Sequence, residues 1–310
     1  MNVTNADELA HAPDPDPLWG ESWYFDFAQP DGSFGGYVRL GLYPNLGVAW
    51  WWAYLVGEGR PLVVVRDHDV PLPTQGLEIR TEGLWGELVC ETPHEHWSIG
   101  MEAFGVALEH PADAYRGERG ERVAVGLDLE WEERGPVYPY GMTTRYEQAC
   151  RVTGEVLVGD ETIDVDAVGE RDHSWGVRDW WMFPWTWTAG QLDDGAAFHA
   201  AGTHVQGATV WKAGFVLAAE QPLEDIDTFT TSTALGDEGF PTSATFGVGS
   251  LGDLAVTPLA FGPIELVADD GRVSRFPRAM CRFTSADGRS GVGWTEWNQP
   301  QLSGVVGAAG

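Results

Sequence analysis

The chain has few basic residues and few cysteines for its length. Of its 310 residues, 18 are Lys or Arg and 47 are Asp or Glu, so the formal net charge is 18 − 47 = −29. This charge argues against binding to nucleic acids or anionic membrane surfaces, because both are polyanions. The three cysteines, Cys90, Cys150 and Cys281, are far apart and lack CxxC spacing. They predict buried free thiols rather than disulfides or a thiolate zinc site.

Long apolar runs and familiar cofactor motifs are also missing. The most apolar stretches, such as residues 48–56, are far shorter than the ~20 residues that a membrane-spanning helix needs. The N-terminal segment lacks a basic region followed by an apolar one, so it does not resemble a signal peptide and a cytoplasmic location is expected. No GxGxxG lies between a strand and a helix, and GxxxxGK[ST], HExxH and GxSxG do not occur. Nucleotide cofactors and a serine-hydrolase mechanism are therefore not expected.

Glycine, proline and tryptophan are abundant, with 40, 19 and 16 residues. Gly and Pro interrupt nearly every window, and few stretches keep helical spacing of apolar residues, so the chain is predicted to be β-rich. Alternation of apolar residues is clearest at residues 123–131, whose odd positions are predicted to share one buried face. Gly159-Asp160 and residues 193–195 are predicted hairpin turns. In the arm after the second turn, His199 and Ala201 are expected to face away from Phe198 and Ala200.

Many short strands at regular spacing predict sandwiches or barrels, and the chain is long enough for two units. A Gly, Pro and Tyr cluster at residues 135–141 is the best candidate for a linker. We therefore predict an all-β protein with an N-terminal domain at residues 18–138 and a C-terminal domain at residues 139–304. Residues 1–17 and 304–310 are predicted to be loose termini.

The densest group of ionisable and aromatic residues is ERDHSWGVRDWW at residues 170–181. Carboxyl groups beside indoles are desolvated, which raises their pKa and can turn them into general acids at neutral pH. The alternative is a network of Arg and Asp ion pairs that holds a loop on the barrel, with His173 hydrogen-bonded inside it. Five of the sixteen Trp residues fall between Trp175 and Trp187, which favours a pocket lined by indoles over simple core packing.

Two motifs together carry a resemblance to a known family. Glu21-Ser22-Trp23-Tyr24 is similar to a Glu-Trp-Trp-Tyr motif, and residues 172–176, DHSWG, are similar to an Asp-His/Arg-x-Trp-Gly motif. Both motifs occur in this order in the lipocalin-like tandem-domain family of bacterial carotenoid 1,2-hydratases and AttH-like proteins. The resemblance implies two tandem lipocalin-like (calycin) barrels or half-barrels around a hydrophobic tunnel.

The resemblance also implies roles for His173 and Trp175 in handling protons and stabilising a cation. The hydratases use a Tyr-x-Asp pair about one hairpin downstream, with Asp as the acid. The corresponding stretch here, residues 198–202 (FHAAG), has no carboxylate. The candidates for the acid are therefore Glu170, Asp172 and Asp179.

The candidate site residues fall into three groups. The candidate catalytic residues are Asp172, His173, Trp175, Asp179 and His199. The candidate substrate-binding residues are Trp23, Tyr24, Trp51, Trp180, Trp181, Trp185 and Trp187. The candidate orienting residues are Glu21, Arg171 and Arg178. No metal site is expected, because His94 and His96, which share one face of a strand, lack a third ligand. No cofactor is expected, because the familiar cofactor motifs are absent.

These residues predict a cofactor-independent hydratase, dehydratase or isomerase that acts on a hydrophobic unsaturated molecule, such as an isoprenoid, through a carbocation-like state. Asp172 would protonate a double bond, indole faces would stabilise the cation, and water activated by His173 would quench it. The alternatives are a non-catalytic carrier of a hydrophobic ligand and a cyclase that folds a polyene or polyketide-like substrate. The expected partner is thus a hydrophobic small molecule.

Overall fold

A computed structural model describes residues 2–117, 119–205, 208–219 and 221–301. Within them about two thirds of the residues are β-strand and none is α-helix, which confirms the predicted all-β class. The short 3-10 segments are η1 (Asn5–Glu8), η2 (Pro111–Tyr115), η3 (Asp237–Gly239) and η4 (Gly249–Leu251). Among the described residues, no helix has the length and apolar character that crossing a membrane requires.

The first sheet is antiparallel and has the order β4-β3-β2-β1-β11-β10-β8-β7-β6-β5, with β9 beside β10. A further pairing of β4 with β7 joins the two sides of the sheet, so eight strands form a closed ring. The strands are β1 (Trp19–Ala28), β2 (Phe34–Tyr43), β3 (Val48–Gly57), β4 (Leu62–Pro71), β5 (Leu77–Thr81), β6 (Leu84–Thr92), β7 (His96–Leu108), β8 (Glu121–Glu133), β9 (Tyr138–Pro139), β10 (Arg145–Val158) and β11 (Glu161–Val177).

The second sheet is also antiparallel and has the order β15-β14-β13-β12-β22-β21-β18-β17-β16, while β19 and β20 form a hairpin joined to β22. Side chains of His204 and Thr209 bond to the carbonyl oxygen of Phe229, which brings β16 close to β13 and β14. The strands are β12 (Trp185–Leu192), β13 (Ala197–Val205), β14 (Ala208–Leu217), β15 (Glu224–Asp225), β16 (Phe229–Leu235), β17 (Pro241–Val248), β18 (Gly252–Phe261), β19 (Ile264–Val267), β20 (Val273–Phe276), β21 (Arg278–Ser285) and β22 (Ser290–Gln301).

Alternating side chains divide the interior into three apolar layers, because successive residues of a strand point to opposite faces. One layer fills the first sheet and includes the predicted row from Val123 to Trp131. Another fills the second sheet and includes Phe198 and Ala200. The third lies between the sheets and includes Trp187 and Ala201. The expected opposition of Phe198 and Ala201 on β13 is thus confirmed.

The chain passes from the first sheet to the second well after the domain boundary that the sequence predicts between residues 138 and 139. Strands β10 and β11 follow that boundary, yet they belong to the first sheet, where β11 pairs with both β1 and β10. The change from one sheet to the other falls between Val177 and Trp185. The motif at residues 170–176 is therefore part of the first sheet. As a division into folding units, the boundary stays a prediction.

The N-terminal segment is held in place by buried polar contacts, contrary to the expectation of a loose terminus. Glu8 is only 1% exposed and lies against the first sheet. Its carboxylate accepts hydrogen bonds from Arg171, Tyr146 and the backbone N–H of His94. The other terminus predicted to be loose, at residues 304–310, lies outside the described residues.

Candidate active site

A cavity of about 190 Å³ lies between the two sheets. Its aromatic lining consists of Tyr24, Tyr140, Trp180, Trp185, Trp187 and Trp211. Its charged lining consists of Arg39, Arg145, Arg178, Arg278, Asp172 and Glu296. The volume is below the usual 300–1,000 Å³ of ligand pockets, so the cavity fits a small molecule or one end of a longer one. Apolar walls with a few convergent polar groups are typical of a ligand site.

Strand register explains how the cavity acquires these groups. Across the first sheet, Arg39 pairs with Tyr24, Tyr24 with Asp172, and Asp172 with Glu147. Directly paired residues share one face, so these four side chains form a row that faces the second sheet. In the second sheet, a matching row runs from Arg278 through Glu296 and Trp187 to Ala201. The cavity lies between the two rows.

Asp172 is the carboxyl group best placed for proton transfer. Its side chain is buried, its Oδ2 accepts a 2.8 Å bond from Arg145 Nη2, and its Oδ1 has no hydrogen-bond partner within the described residues. Burial raises the pKa of Asp172 to about 6, partly offset by the positive charge of Arg145. An acid with a pKa near neutrality can both donate and recover a proton at physiological pH.

Tyr140, His199 and Glu147 form a hydrogen-bonded group beside the cavity. The Tyr140 hydroxyl lies 2.7 Å from His199 Nε2 and 3.1 Å from Glu147 Oε1. Burial, together with the nearby Arg145 charge, holds the pKa of His199 well below its usual value, so the imidazole is neutral. Burial also raises the pKa of Glu147, although Arg145 Nε donates to it. His199 thus contacts Tyr140, a residue that lines the cavity.

Behind this group lie two further buried carboxyl groups, Asp26 and Glu170. Burial raises the pKa of Asp26 to about 8. It also raises that of Glu170 well above the usual value, with repulsion from Glu147 and Asp26 adding to the effect. Asp26 is therefore largely protonated at neutral pH. Both residues line a void of about 10 Å³, which is too small for a substrate.

His173 faces the opposite side of β11 from Asp172, so it does not line the cavity. Its Nε2 lies 2.9 Å from Glu21 Oε1, and its Nδ1 lies 2.7 Å from the carbonyl oxygen of Asp7. Its ring stacks on Trp23, with the ring centroids 4.3 Å apart. Trp175, on the same face, stacks on His11, whose Nδ1 bonds to the same Glu21 oxygen. The structure therefore groups Glu21, Trp23, His173 and Trp175 around the N-terminal segment.

The remaining candidate residues also divide by location. Trp180, Trp185, Trp187, Tyr24 and Arg178 lie at the cavity. Four others contact different parts of the molecule. Arg171 pairs with Glu8 inside the first sheet, and Trp51 lies in the core of that sheet with its Nε1 3.2 Å from Met101 Sδ. Asp179 pairs with Arg272, and Trp181 Nε1 bonds to the carbonyl oxygen of Leu266.

Among the residues that the structure describes, two groups of side chains place possible metal ligands close together. In each, one ligand atom per residue lies within 4.8 Å of the others. His11, Glu21 and His173 form the first group, and their contacts with one another already satisfy Glu21 Oε1. Glu147, Glu170 and His199 form the second, which is fully buried. Neither group lines the cavity directly.

Sequence patterns did not single out several residues of the cavity. Arg39, Tyr140, Arg145, Arg278 and Glu296 lie in strands or loops with no motif of their own. Arg145 and Glu147 alternate on β10, and strand pairing places that alternation beside Asp172. These residues could be found only from the strand register across the first sheet. That register depends on which strands become neighbours, which the sequence motifs do not show.

A larger depression of about 700 Å³ lies over β6, β7, β8 and β10. Phe104 and Leu157, both strongly exposed, are among its lining residues. It lacks the clustered indoles and guanidinium groups of the smaller cavity. We therefore place the candidate active site between the sheets.

Comparisons with solved structures show similar folds. A protein provisionally assigned as AttH, from Nitrosomonas europaea, has a TM-score of 0.66 and 16% identity over 94% of each chain. CghA has a TM-score of 0.55 and 13% identity over 93% of this chain and 89% of its own. Kievitone hydratase from Nectria haematococca has a TM-score of 0.56 and 12% identity over 95% of this chain and 94% of its own. At these identities, the similarity shows the fold alone.

These neighbours confirm the predicted tandem lipocalin-like fold and, at the level of fold, the expected resemblance to AttH-like proteins. The finer resemblance to carotenoid hydratases stays a prediction. No curated protein matches the chain. The family model described as "Domain of unknown function (DUF7064)" matches residues 4–301, so the chain belongs to that family.

Proposed function

We propose that this protein is an enzyme that performs acid–base chemistry on a small, largely hydrophobic unsaturated molecule bound between the two sheets. The observation that carries the proposal is Asp172. This buried carboxyl group has a pKa raised to about 6, and it lines a cavity walled by four tryptophans. The reaction class is hydration or dehydration, isomerisation or cyclisation. Similarity of fold to kievitone hydratase supports hydration or dehydration among these reactions.

In the proposed mechanism, protonated Asp172 donates its proton to a carbon–carbon double bond and becomes a carboxylate. The resulting carbocation lies against the indole faces, each of which can stabilise a desolvated cation by up to ~2 kcal/mol. Water then adds to the cation, and the proton that it releases returns to Asp172. If a neighbouring C–H loses its proton to Asp172 instead, the product is an isomer. Either route restores the acid, so the cycle uses only side chains of this chain.

His173 has no role in this mechanism, since it faces away from Asp172 across β11. The Tyr140 hydroxyl, backed by His199 and Glu147, is the second polar group that we place against the substrate. A hydroxyl at this position can orient the attacking water by hydrogen bonding. This assignment replaces the expected activation of water by His173.

The proposal is tested by identifying a ligand and following it in D₂O. The purified protein is extracted with organic solvent, and any bound molecule is identified by mass spectrometry. That molecule, together with geraniol and farnesol, is then incubated with the protein in D₂O. We expect deuterium on carbon in one of these molecules, because Asp172 exchanges its proton with solvent. Recovery of every molecule without carbon-bound label would favour the carrier hypothesis.

The pH dependence of the reaction follows from the raised pKa of Asp172. A general acid is active when protonated, and this form is lost as the pH rises through about 6. We therefore expect kcat/KM to fall about tenfold per pH unit above that value. Initial rates measured between pH 5 and pH 9 provide the check. A rate that increases with pH over this range would assign Asp172 the role of a base instead.

A further inference from the structure

The cavity concentrates positive charge in a strongly acidic protein. The chain has 18 Lys and Arg residues, and four of them, Arg39, Arg145, Arg178 and Arg278, line this one cavity. Only two carboxylates, Asp172 and Glu296, share the lining. A purely hydrophobic ligand gives no physical reason for this excess of guanidinium groups, since burying a charge without a partner is unfavourable.

Two of the four arginines have carboxylate partners. Arg145 bonds to Asp172 and Glu147, and Arg278 bonds to Glu296. Even so, Nε and Nη1 of Arg278 are buried without a hydrogen-bond partner within the described residues. Its guanidinium lies over the rings of Tyr24 and Tyr37. Arg278 thus retains donors that its partner does not use.

Arg39 and Arg178 have no ion pair within the part of the chain that the structure describes. Arg39 is 5% exposed, donates one bond to the Tyr43 hydroxyl and has a buried, unpartnered Nη1. Both guanidinium groups lie over the ring of Trp180, with each Cζ 5.3 Å from the ring centroid. Burial, and the repulsion from Arg145 and Arg39, lower the pKa of Arg178 to about 10. An anion bound close to these guanidinium groups would reduce this repulsion.

Gly41 makes room for the Arg39 guanidinium. A Cβ at Gly41 would lie 2.5 Å from Arg39 Nη1 and 3.1 Å from its Cζ. An alanine at this position would therefore displace the guanidinium without adding or removing a charge. The absence of a side chain here is a built feature of the site.

We propose that the substrate carries a carboxylate, which Arg39 and Arg178 bind at the cavity while its unsaturated apolar part packs against the tryptophans. The planar fork of a guanidinium matches the two oxygens of a carboxylate. This inference rests on the proposed function in that it takes the cavity as the substrate site. It changes the expected substrate from a neutral isoprenoid to an unsaturated acid.

The test compares carboxylic acids with their neutral amides by isothermal titration calorimetry at pH 7. The probe pairs are trans-cinnamate with cinnamamide, sorbate with sorbamide, and 2-naphthoate with 2-naphthamide. In at least one pair, we expect the acid to bind at least tenfold more tightly than the amide, because the amide cannot neutralise the arginines. Acid and amide affinities that agree within threefold in every pair, or an absence of binding by all three acids, would overturn the inference.

Two variants and a control locate the effect. Arg178→Gln removes one guanidinium, whereas Gly41→Ala keeps all charges and displaces Arg39. Both are expected to reduce the preference for the acid to less than threefold. Arg272→Gln is the control, because Arg272 also lies over an indole, that of Trp181, but pairs with Asp179 outside the cavity. If the preference is unchanged in both variants, the acid binds elsewhere and the assignment to Arg39 and Arg178 is wrong.

The outcome is separable from that of the proposed function. Preferential binding of acids without deuterium incorporation into any ligand would support the carboxylate site and contradict the proposed enzymatic function. Incorporation of deuterium into a neutral molecule, with no preference for acids, would support the enzymatic function and contradict the carboxylate site.

Discussion

Replacing Asp172 by Asn is expected to lower kcat by about 10²–10⁴-fold while leaving Tm nearly unchanged. Asn keeps the shape and can still accept a bond from Arg145, but it cannot donate a proton to carbon. Stability is preserved because Arg145 Nε keeps its 2.6 Å hydrogen bond to Glu147 Oε1. The measurement is the rate of deuterium incorporation, with thermal unfolding followed in parallel.

The control is Asp179→Asn, the same chemical change seven positions along the chain. Asp179 is partly exposed and accepts bonds from Arg272 and from the backbone N–H of Trp181, away from the cavity. Its activity is expected to stay within about twofold of the unaltered protein. Equal losses in the two variants, or a large drop in Tm for Asp172→Asn alone, would assign Asp172 to the fold rather than to chemistry.

Replacing Glu8 by Gln is expected to destabilise the protein by about 3–5 kcal/mol, because it leaves Arg171 buried without a counter-charge. Arg171 is 2% exposed, and its guanidinium donates two bonds to the Glu8 carboxylate, of 2.7 and 3.1 Å. The free energy of unfolding, measured by denaturant titration, is the readout. The exposed pair of Arg60 and Glu161 has similar geometry, so Glu161→Gln is a matched control with an expected cost below about 1 kcal/mol.

A double variant separates charge from packing at this pair. Glu8→Gln combined with Arg171→Met removes both charges and is expected to be more stable than Glu8→Gln alone. Arg171→Met is measured alone as well. If the double variant loses as much free energy of unfolding as Glu8→Gln and Arg171→Met lose together, the two residues are not coupled.

The same pair also affects stability at low pH. Burial raises the pKa of Glu8, but Arg171 outweighs it and holds this pKa below the usual 4.5. The stabilisation is therefore present at neutral pH and is lost as the pH falls through the depressed value. A stability difference between Glu8→Gln and the unaltered protein that does not shrink as the pH falls below 4.5 would contradict this assignment.

Asp172 and His173 show which features of the candidate site the sequence could predict and which it could not. Residues 170–181 are the densest group of ionisable and aromatic side chains in the sequence, and three of them, Asp172, Arg178 and Trp180, line the cavity. The expected cooperation of Asp172 with His173 does not fit the strand that carries them, because adjacent residues of a strand point to opposite faces. Because β11 extends through the motif to Val177, this rule places Arg171, His173 and Trp175 on the face opposite Asp172.

Several residues of the candidate site could not have been found by motif. Arg39 and Arg278 are separated in sequence by more than two hundred positions, and each becomes part of the cavity only because strands pair in a particular register. Glu8 lay in a segment predicted to be loose, since a short acidic and proline-rich terminus gives no sign of a buried partner. Its role depends on Arg171, which lies on a distant strand.

The sequence by itself determined the all-β class, the alternation of buried and outward residues within single strands, and the region that holds the candidate acid. These properties are local, since they follow from the period of two in a strand and from turn residues. Only the tertiary structure decided which sheet contains β10 and β11 and which face of β11 packs against the second sheet. It alone also showed that four arginines line one cavity. The reason is physical: sheet order and register are set by packing between strands distant in sequence, and one residue of register exchanges the two faces of a strand.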